Sequence, residues 1–159
     1  MTFDVSRRAV LSLGLGLAAL ASTAACARRA PPAASRSFVA SGNTPEMNAL
    51  IGRYAREYDM PESLLHRMIR RESGYNPAAR NGPYYGLLQI HPQTARTMGF
   101  TGQPADLLDA ETNLKYAGKY LRGAWLVSDG SEARAEKWYA NGYYYEAKRR
   151  GLLEKTGLK

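Results

Sequence analysis

The chain has 159 residues, room for one domain and not comfortably two. Its formal net charge of +8 suits a polyanionic partner (nucleic acid, anionic lipid or a carboxylate-bearing wall polymer), yet no long Lys/Arg run or nucleic-acid motif is present. One cysteine excludes an intrachain disulfide, and with only 2 scattered histidines a transition-metal site is not expected.

Residues 1–27 read as an address rather than as fold. Arg7 and Arg8 precede the apolar run Ala9 to Leu20, too short for a permanent membrane span, and small residues follow through Ala27. That order is a secretory signal, and Ser6-Arg7-Arg8-Ala9-Val10-Leu11 is similar to a twin-arginine export signal. Cys26 sits where a lipoprotein would be acylated, although Thr23 stands where that motif usually has Leu. Cleavage after Ala27 is the competing reading and would remove Cys26. Arg, Ala, Pro and Ser dominate residues 28–42, which read as a flexible tether. The folded domain is expected over 43–159.

Thr44-Pro45-Glu46 predicts a helix start: a capping hydroxyl, a first-turn proline and an acid facing the positive end of the dipole. Met47, Leu50, Ile51, Tyr54, Ala55 and Tyr58 supply its apolar face. Met60-Pro61-Glu62 opens a second helix, with Leu64, Leu65, Met68 and Ile69 as its stripe and Gly74 placed to stop it. Glu72 continues that stripe in the last turn, while Arg67, Arg70 and Arg71 fall elsewhere on the wheel. Burial and the negative helix terminus both disfavour an anion there, which is the environment a proton donor needs. The spacing alone also fits a glutamate that curls out to solvent or pairs with Arg70 or Arg71.

Gly82-Pro83 predicts a turn leading into a short extended segment over Tyr85–Ile90. Pro92 begins a short helix ending near Gly99. Asp109 caps a longer one running to about Val127, with Leu114, Ala117, Gly118, Leu121 and Trp125 as its buried stripe. A further helix runs from Ser131 through Tyr139, and another covers Tyr143 to Arg150. The basic residues after Gly151 are expected to fray. The fold class is mainly α, with one small strand segment.

Four stretches resemble a known family. Arg71-Glu72-Ser73-Gly74-Tyr75-Asn76-Pro77 resembles the E-S-x-x-N-P signature of the soluble lytic transglycosylases. Gly86-Leu87-Leu88-Gln89-Ile90, with Pro92 and Thr94-Ala95, resembles their G-L-M-Q-I-x-P-x-T-A motif, with Leu88 replacing the usual Met. Asp109-Ala110-Glu111-Thr112-Asn113-Leu114, followed by Gly118 to Leu121, resembles D-P-x-x-N-I and G-x-x-Y-L, with Ala110 replacing the proline. Trp138-Tyr139-Ala140-Asn141-Gly142 partly resembles A-Y-N-A-G, with Asn and Ala exchanged, so Tyr139 carries over and Asn141 does not.

The resemblance implies a lysozyme-like domain: helices around a long cleft with a small strand segment at its edge. It implies cleavage of peptidoglycan glycan strands by one glutamate, Glu72, with no cofactor and no nucleic-acid partner. That glutamate first donates a proton to the leaving oxygen, then takes one from the C6 hydroxyl of the same muramic acid, closing a 1,6-anhydro ring. It further implies that Tyr139 hydrogen-bonds and orients Glu72, and that Gln89 faces the cleft and holds a sugar. Ser73 and Asn113 organise the site, each with a plainly structural alternative. Tyr85 lines the groove or simply packs beside Gly86. His91 and His66 are read as structural and as surface, respectively. Asp59, Glu62, Asp106, Asp109 and Glu111 are the candidates for a second carboxylate, none in a catalytic motif. A monomer is expected, in the periplasm, free or held by a lipid at Cys26. The rival readings are a muramidase that admits water, a wall-binding protein without turnover, and a basic nucleic-acid-binding module, against which the export signal argues.

Overall fold

A computed structural model describes residues 42–158. The export signal expected over 1–27, nearly all of the tether expected over 28–42, and Cys26 lie outside the described residues.

The first helix, α1 (Pro45–Glu57), begins where a capping hydroxyl and a proline coincide: Thr44 accepts from the Met47 amide, and Pro45 occupies the first turn. Met47 and Ile51 are completely buried. Helix α2 (Glu62–Ser73) packs against α1 through Leu64, Leu65, Met68 and Ile69, and ends on Gly74 in the left-handed conformation (φ 58°). A two-residue hairpin follows, β1 (Arg80–Asn81) with β2 (Tyr84–Tyr85), pairing Arg80 with Tyr85 and Asn81 with Tyr84. Beyond it the chain is not extended, contrary to the reading of Tyr85–Ile90. It folds into a tight turn whose ends, Tyr85 and Ile90, bond each other's backbone. Leu87 and Leu88 are both fully buried in this turn, which a surface strand would not allow.

Helix α3 (Pro92–Thr97) starts on His91, whose side chain caps the Gln93 amide. A 3-10 turn (Pro104–Leu108) leads to Asp109, which caps α4 (Ala110–Asn113) through the Thr112 amide at 2.8 Å. The long helix read from Asp109 to Val127 is interrupted by a π turn (Leu114–Gly118) before α5 (Lys119–Leu126). The cause lies far away in sequence. Tyr58 donates its hydroxyl to the Lys115 carbonyl at 2.6 Å, and the Lys119 amide bonds Tyr116 instead. Trp125, read as part of the buried stripe, is only half-buried, while Gly123 and Ala124 are buried.

Helix α6 (Glu132–Asn141), capped by Ser131, packs on α5 and carries Tyr139. Helix α7 (Tyr144–Arg149) follows. The end of the chain does not fray: α8 (Leu153–Thr156) packs on α5, with Thr156 buried and Leu152, Leu153 and Leu158 against the core. Those apolar residues anchor a segment that its basic charge alone would leave free. Among the described residues no helix is long and apolar enough to cross a membrane.

Candidate active site

The stripe of α2 outlasts the core. Leu65, Met68 and Ile69 are covered by neighbouring elements, but one turn further on the covering ends and a cavity of about 400 Å³ opens. Its walls are Arg71 and Glu72 from the end of α2, Asn81 and Tyr84 from the hairpin, Gln89 from the turn, and Tyr139 and Ala140 from α6. Glu72 is therefore not buried as its place on the wheel suggested; its side chain is 25% exposed. Nor does Arg71 lie elsewhere. It bends back so that Nε and Nη2 both donate to Glu72 Oε1, at 3.1 and 2.8 Å. A helical wheel fixes where a side chain starts, and a long guanidinium stem reaches well beyond that.

Four consecutive carbonyls of the turn organise the rest. The Tyr85 carbonyl accepts from Asn113 Nδ2 at 2.9 Å, and that of Gly86 accepts from Gln89 Nε2 at 2.8 Å. The Leu87 carbonyl accepts from the Ser73 hydroxyl, and that of Leu88 from the Tyr139 hydroxyl, both at 2.8 Å. Each of the four sequence motifs thus supplies one donor to one peptide of a single buried turn. Buried carbonyls need partners: those of Tyr85 and Gly86 also accept the backbone amides of Ile90 and Gln89, while those of Leu87 and Leu88 depend on the side-chain donors.

These bonds revise several expectations. Tyr139 spends its only proton on Leu88 and not on Glu72. Burial foremost, and then the Glu72 charge, raise its phenol well above the ordinary value, so it stays protonated. Ser73 also bonds the Ile69 carbonyl and ties the end of α2 to the turn. Asn113 is completely buried: its carbonyl accepts from the Leu88 amide, and its amide also reaches the Leu107 carbonyl. Both are framework groups that do not line the cavity. Gln89 does line it. Its backbone is left-handed (φ 47°), at a cost of roughly 1–2 kcal/mol for a residue with a Cβ, offset where its amide also bonds the Ala79 carbonyl. With both amide hydrogens committed, its carbonyl oxygen is the end left to accept from a ligand.

Tyr85 does not line the cavity. Its ring lies beneath the Arg80 guanidinium at 4.8 Å, and the neighbouring Tyr84, exposed and unforeseen, takes the groove position. Asn81 and Ala140 were missed as well, and Arg71 was named only as an alternative partner for Glu72, the pairing that the structure shows. The hairpin turn at Gly82-Pro83 was the available signal for the first, since it brings Asn81 opposite Tyr84. His91 caps α3, and His66 is half-buried, its ring bonding the Tyr75 hydroxyl at 3.0 Å.

Of the candidate second carboxylates, Asp109 caps α4, Asp106 caps the 3-10 turn, and Glu111 pairs with Arg53. Asp59 and Glu62 border a separate depression beside Trp125. Glu136, not considered from the sequence, comes closer. It pairs with Arg71 at 2.8 Å, but on the far side of that guanidinium from Glu72, and it does not line the cavity. Glu72 is the one carboxylate among the described residues that do. These residues also contain no cluster of three His, Cys, Asp or Glu side chains suited to a metal ion.

The transglycosylase SLT domain model matches residues 49–151, more than half of the chain. Two curated relatives, each named soluble lytic murein transglycosylase, come from Escherichia coli strain K12 and Escherichia coli O157:H7. Each is 34% identical over 82 residues, covering 47% of this chain and 13% of the relative, so the chain spans only a small part of the proteins it matches. No solved structure matches it significantly.

Proposed function

The chain belongs to the transglycosylase SLT domain family, and from that premise we propose that it is an exported lytic transglycosylase acting on peptidoglycan. Glu72 delivers its proton to the oxygen joining N-acetylmuramic acid to N-acetylglucosamine, and the C1–oxygen bond breaks. The muramyl residue passes through an oxocarbenium-like state, which its own N-acetyl carbonyl stabilises in place of a second carboxylate. The C6 hydroxyl then closes on C1 and returns its proton to Glu72, so the acid is regenerated and no water is consumed.

One observation carries this reading: Glu72, Gln89 and Tyr139, from three motifs far apart in sequence, line one cavity in which Glu72 is the sole described carboxylate. A hydrolase of the two-carboxylate kind would need a second acid facing the same space. Gln89 supports the sugar through its free carbonyl oxygen. Tyr139, its proton committed to Leu88, can accept from a protonated Glu72 but cannot donate to the anion. Tyr84 offers an exposed ring to a sugar face. Residues 1–27 deliver the enzyme to the periplasm, where its substrate is. The mass of the mature amino terminus distinguishes an acylated Cys26 from a chain beginning at Arg28.

The decisive test is a digest of purified peptidoglycan by residues 28–159 beside the Glu72→Gln variant, read by mass spectrometry. Fragments ending in 1,6-anhydromuramic acid, lost in the variant, are expected. Reducing ends, heavier by one water, would replace the transglycosylase with a hydrolase. Binding without release would leave a wall-binding protein.

A further inference from the structure

The α2–α6 contact is built as a ladder of charge, and its last rung is Glu72. Helix α2 offers Ser63, Arg67 and Arg71 at four-residue intervals, and α6 offers Glu132 and Glu136 at the same interval. Ser63 donates to Glu132 at 2.6 Å, Arg67 pairs with Glu132, and Arg67 Nε lies 3.3 Å from Glu136. Arg71 Nη1 then donates to Glu136 at 2.8 Å. The next α6 position in that row is Ala140, too short to receive another rung, and there the cavity opens. Arg71 Nε and Nη2 turn instead to Glu72 Oε1, and Nη2 also reaches Met68 Sδ at 3.4 Å. With its side chain 45% exposed, Arg71 would add little to stability as a surface ion pair. Its geometry is better suited to controlling Glu72.

We propose that Arg71 is a positioning residue for Glu72, directing the reactive proton to Oε2, and that Glu136 tunes it by sharing its charge. The inference rests on the reading of Glu72 as the proton donor. An oxygen that already accepts two N–H bonds from a cation has no room for a proton on that side, so the proton resides on the other oxygen. Once that proton has gone to the glycosidic oxygen, the guanidinium faces the new anion and stabilises it. Glu136 draws part of the same positive charge away and restrains the effect. The other titratable groups facing Glu72 are Tyr139 from α6 and Tyr84 from β2; His91 stands edge-on to Tyr84 at 6.0 Å between ring centres. Arg67 and Glu132 lie further along the ladder, behind Glu136.

The test is the pH dependence of kcat on soluble glycan strands for wild type, Arg71→Met, Arg71→Lys, Glu136→Gln and Glu132→Gln. Removing a neighbouring cation leaves the acid protonated to higher pH. The alkaline limb of Arg71→Met should therefore move to higher pH, with kcat down at least roughly tenfold and KM little changed. Arg71→Lys should restore the limb more than the rate, because an ammonium keeps the charge without the fork. Glu136→Gln should move the limb the opposite way. Glu132→Gln, two rungs removed, should leave it in place. Circular dichroism establishes that each variant is folded, and should Arg71→Met not fold, a limb moved down in Glu136→Gln beside a limb held but a rate lost in Arg71→Lys carries the test. Profiles that superimpose, or that move in one direction for Arg71→Met and Glu136→Gln alike, overturn the inference alone. A wild type that cleaves nothing removes the proposed function, and this inference with it.

Discussion

Replacing Asn113 with alanine should cost far more than a single polar substitution usually does. The side chain is completely buried and makes three bonds of 2.9–3.0 Å, accepting from the Leu88 amide and donating to the Tyr85 and Leu107 carbonyls. Truncation leaves the Leu88 amide and the Leu107 carbonyl without that partner. The Tyr85 carbonyl retains the Ile90 amide at 3.1 Å and suffers less. A buried polar group left unpaired costs about 1–3 kcal/mol. Two such groups and one weakened give roughly 3–5 kcal/mol in all, equivalent for a domain of this size to a fall in Tm on the order of 10–20 °C. Asn113→Asp should be no better, since it sets an acceptor where two carbonyls need donors. Thermal and urea unfolding followed by circular dichroism measure the loss. A fall below about 1 kcal/mol would show that water replaces the amide freely and would refute the accounting. Activity per folded molecule should drop as well, because the same turn carries Gln89 and anchors Tyr139.

Three further outcomes are expected. Gly86→Ala places a Cβ 2.2 Å from Asn113 Nδ2 and 2.3 Å from the Leu107 carbonyl, at a φ of 75°, so little folded protein should be recovered. Normal yield and Tm would contradict that packing. Tyr139→Phe should lose about 1–2 kcal/mol in unfolding experiments by orphaning the Leu88 carbonyl, and should lower kcat; an unchanged kcat would reduce the tyrosine to a strut. Arg149 and Arg150 both donate to Glu146 and hold its carboxyl down at about 2, against an ordinary 4.5. A depressed carboxyl contributes stability above its unfolded value and loses it as pH falls through the folded one, so acid should weaken the fold between about 4.5 and 2. Glu146→Gln should flatten the unfolding-versus-pH curve in that window, and an unaltered curve would show that the pairing is screened.

Where the cause of a feature was local, the sequence disclosed it. Caps at Thr44, Asp109 and Ser131, prolines at helix starts and apolar stripes are all written within one or two turns of the element they create. The features that escaped have distant causes. The π turn follows from the Tyr58 hydroxyl, 57 residues from the carbonyl it captures. Strands of two residues are too short to show alternation, and because neighbouring strand residues face opposite ways, nothing in the sequence could choose Tyr84 over Tyr85 for the groove. Glu72 was legible as the extension of a stripe. Its pairing with Arg71 was one of the alternatives the spacing offered; the wheel could not choose it over Arg70 or solvent, because Arg71 reaches Glu72 by bending around the helix end rather than by its angle on the wheel.

The four motifs are better understood as one object than as four. Ser73, Gln89, Asn113 and Tyr139 each donate to a different carbonyl of the same turn; an apolar residue at Ser73 or Tyr139 would leave the Leu87 or Leu88 carbonyl bare, and one at Asn113 the Leu107 carbonyl, while Gly86 would keep the Gln89 backbone amide. That shared demand explains why residues so far apart in sequence accompany each other in one pattern, although only two of them reach the cavity. It also explains how a short, strand-poor segment can hold Gln89 in a left-handed conformation. On the proposed mechanism, a single acid that gives up a proton and then recovers it from a second position on the same sugar tolerates little drift in either partner. Fixing the opposite wall of the cavity through buried peptide bonds, and fixing Glu72 through Arg71 on the outside, supplies that rigidity from two independent directions.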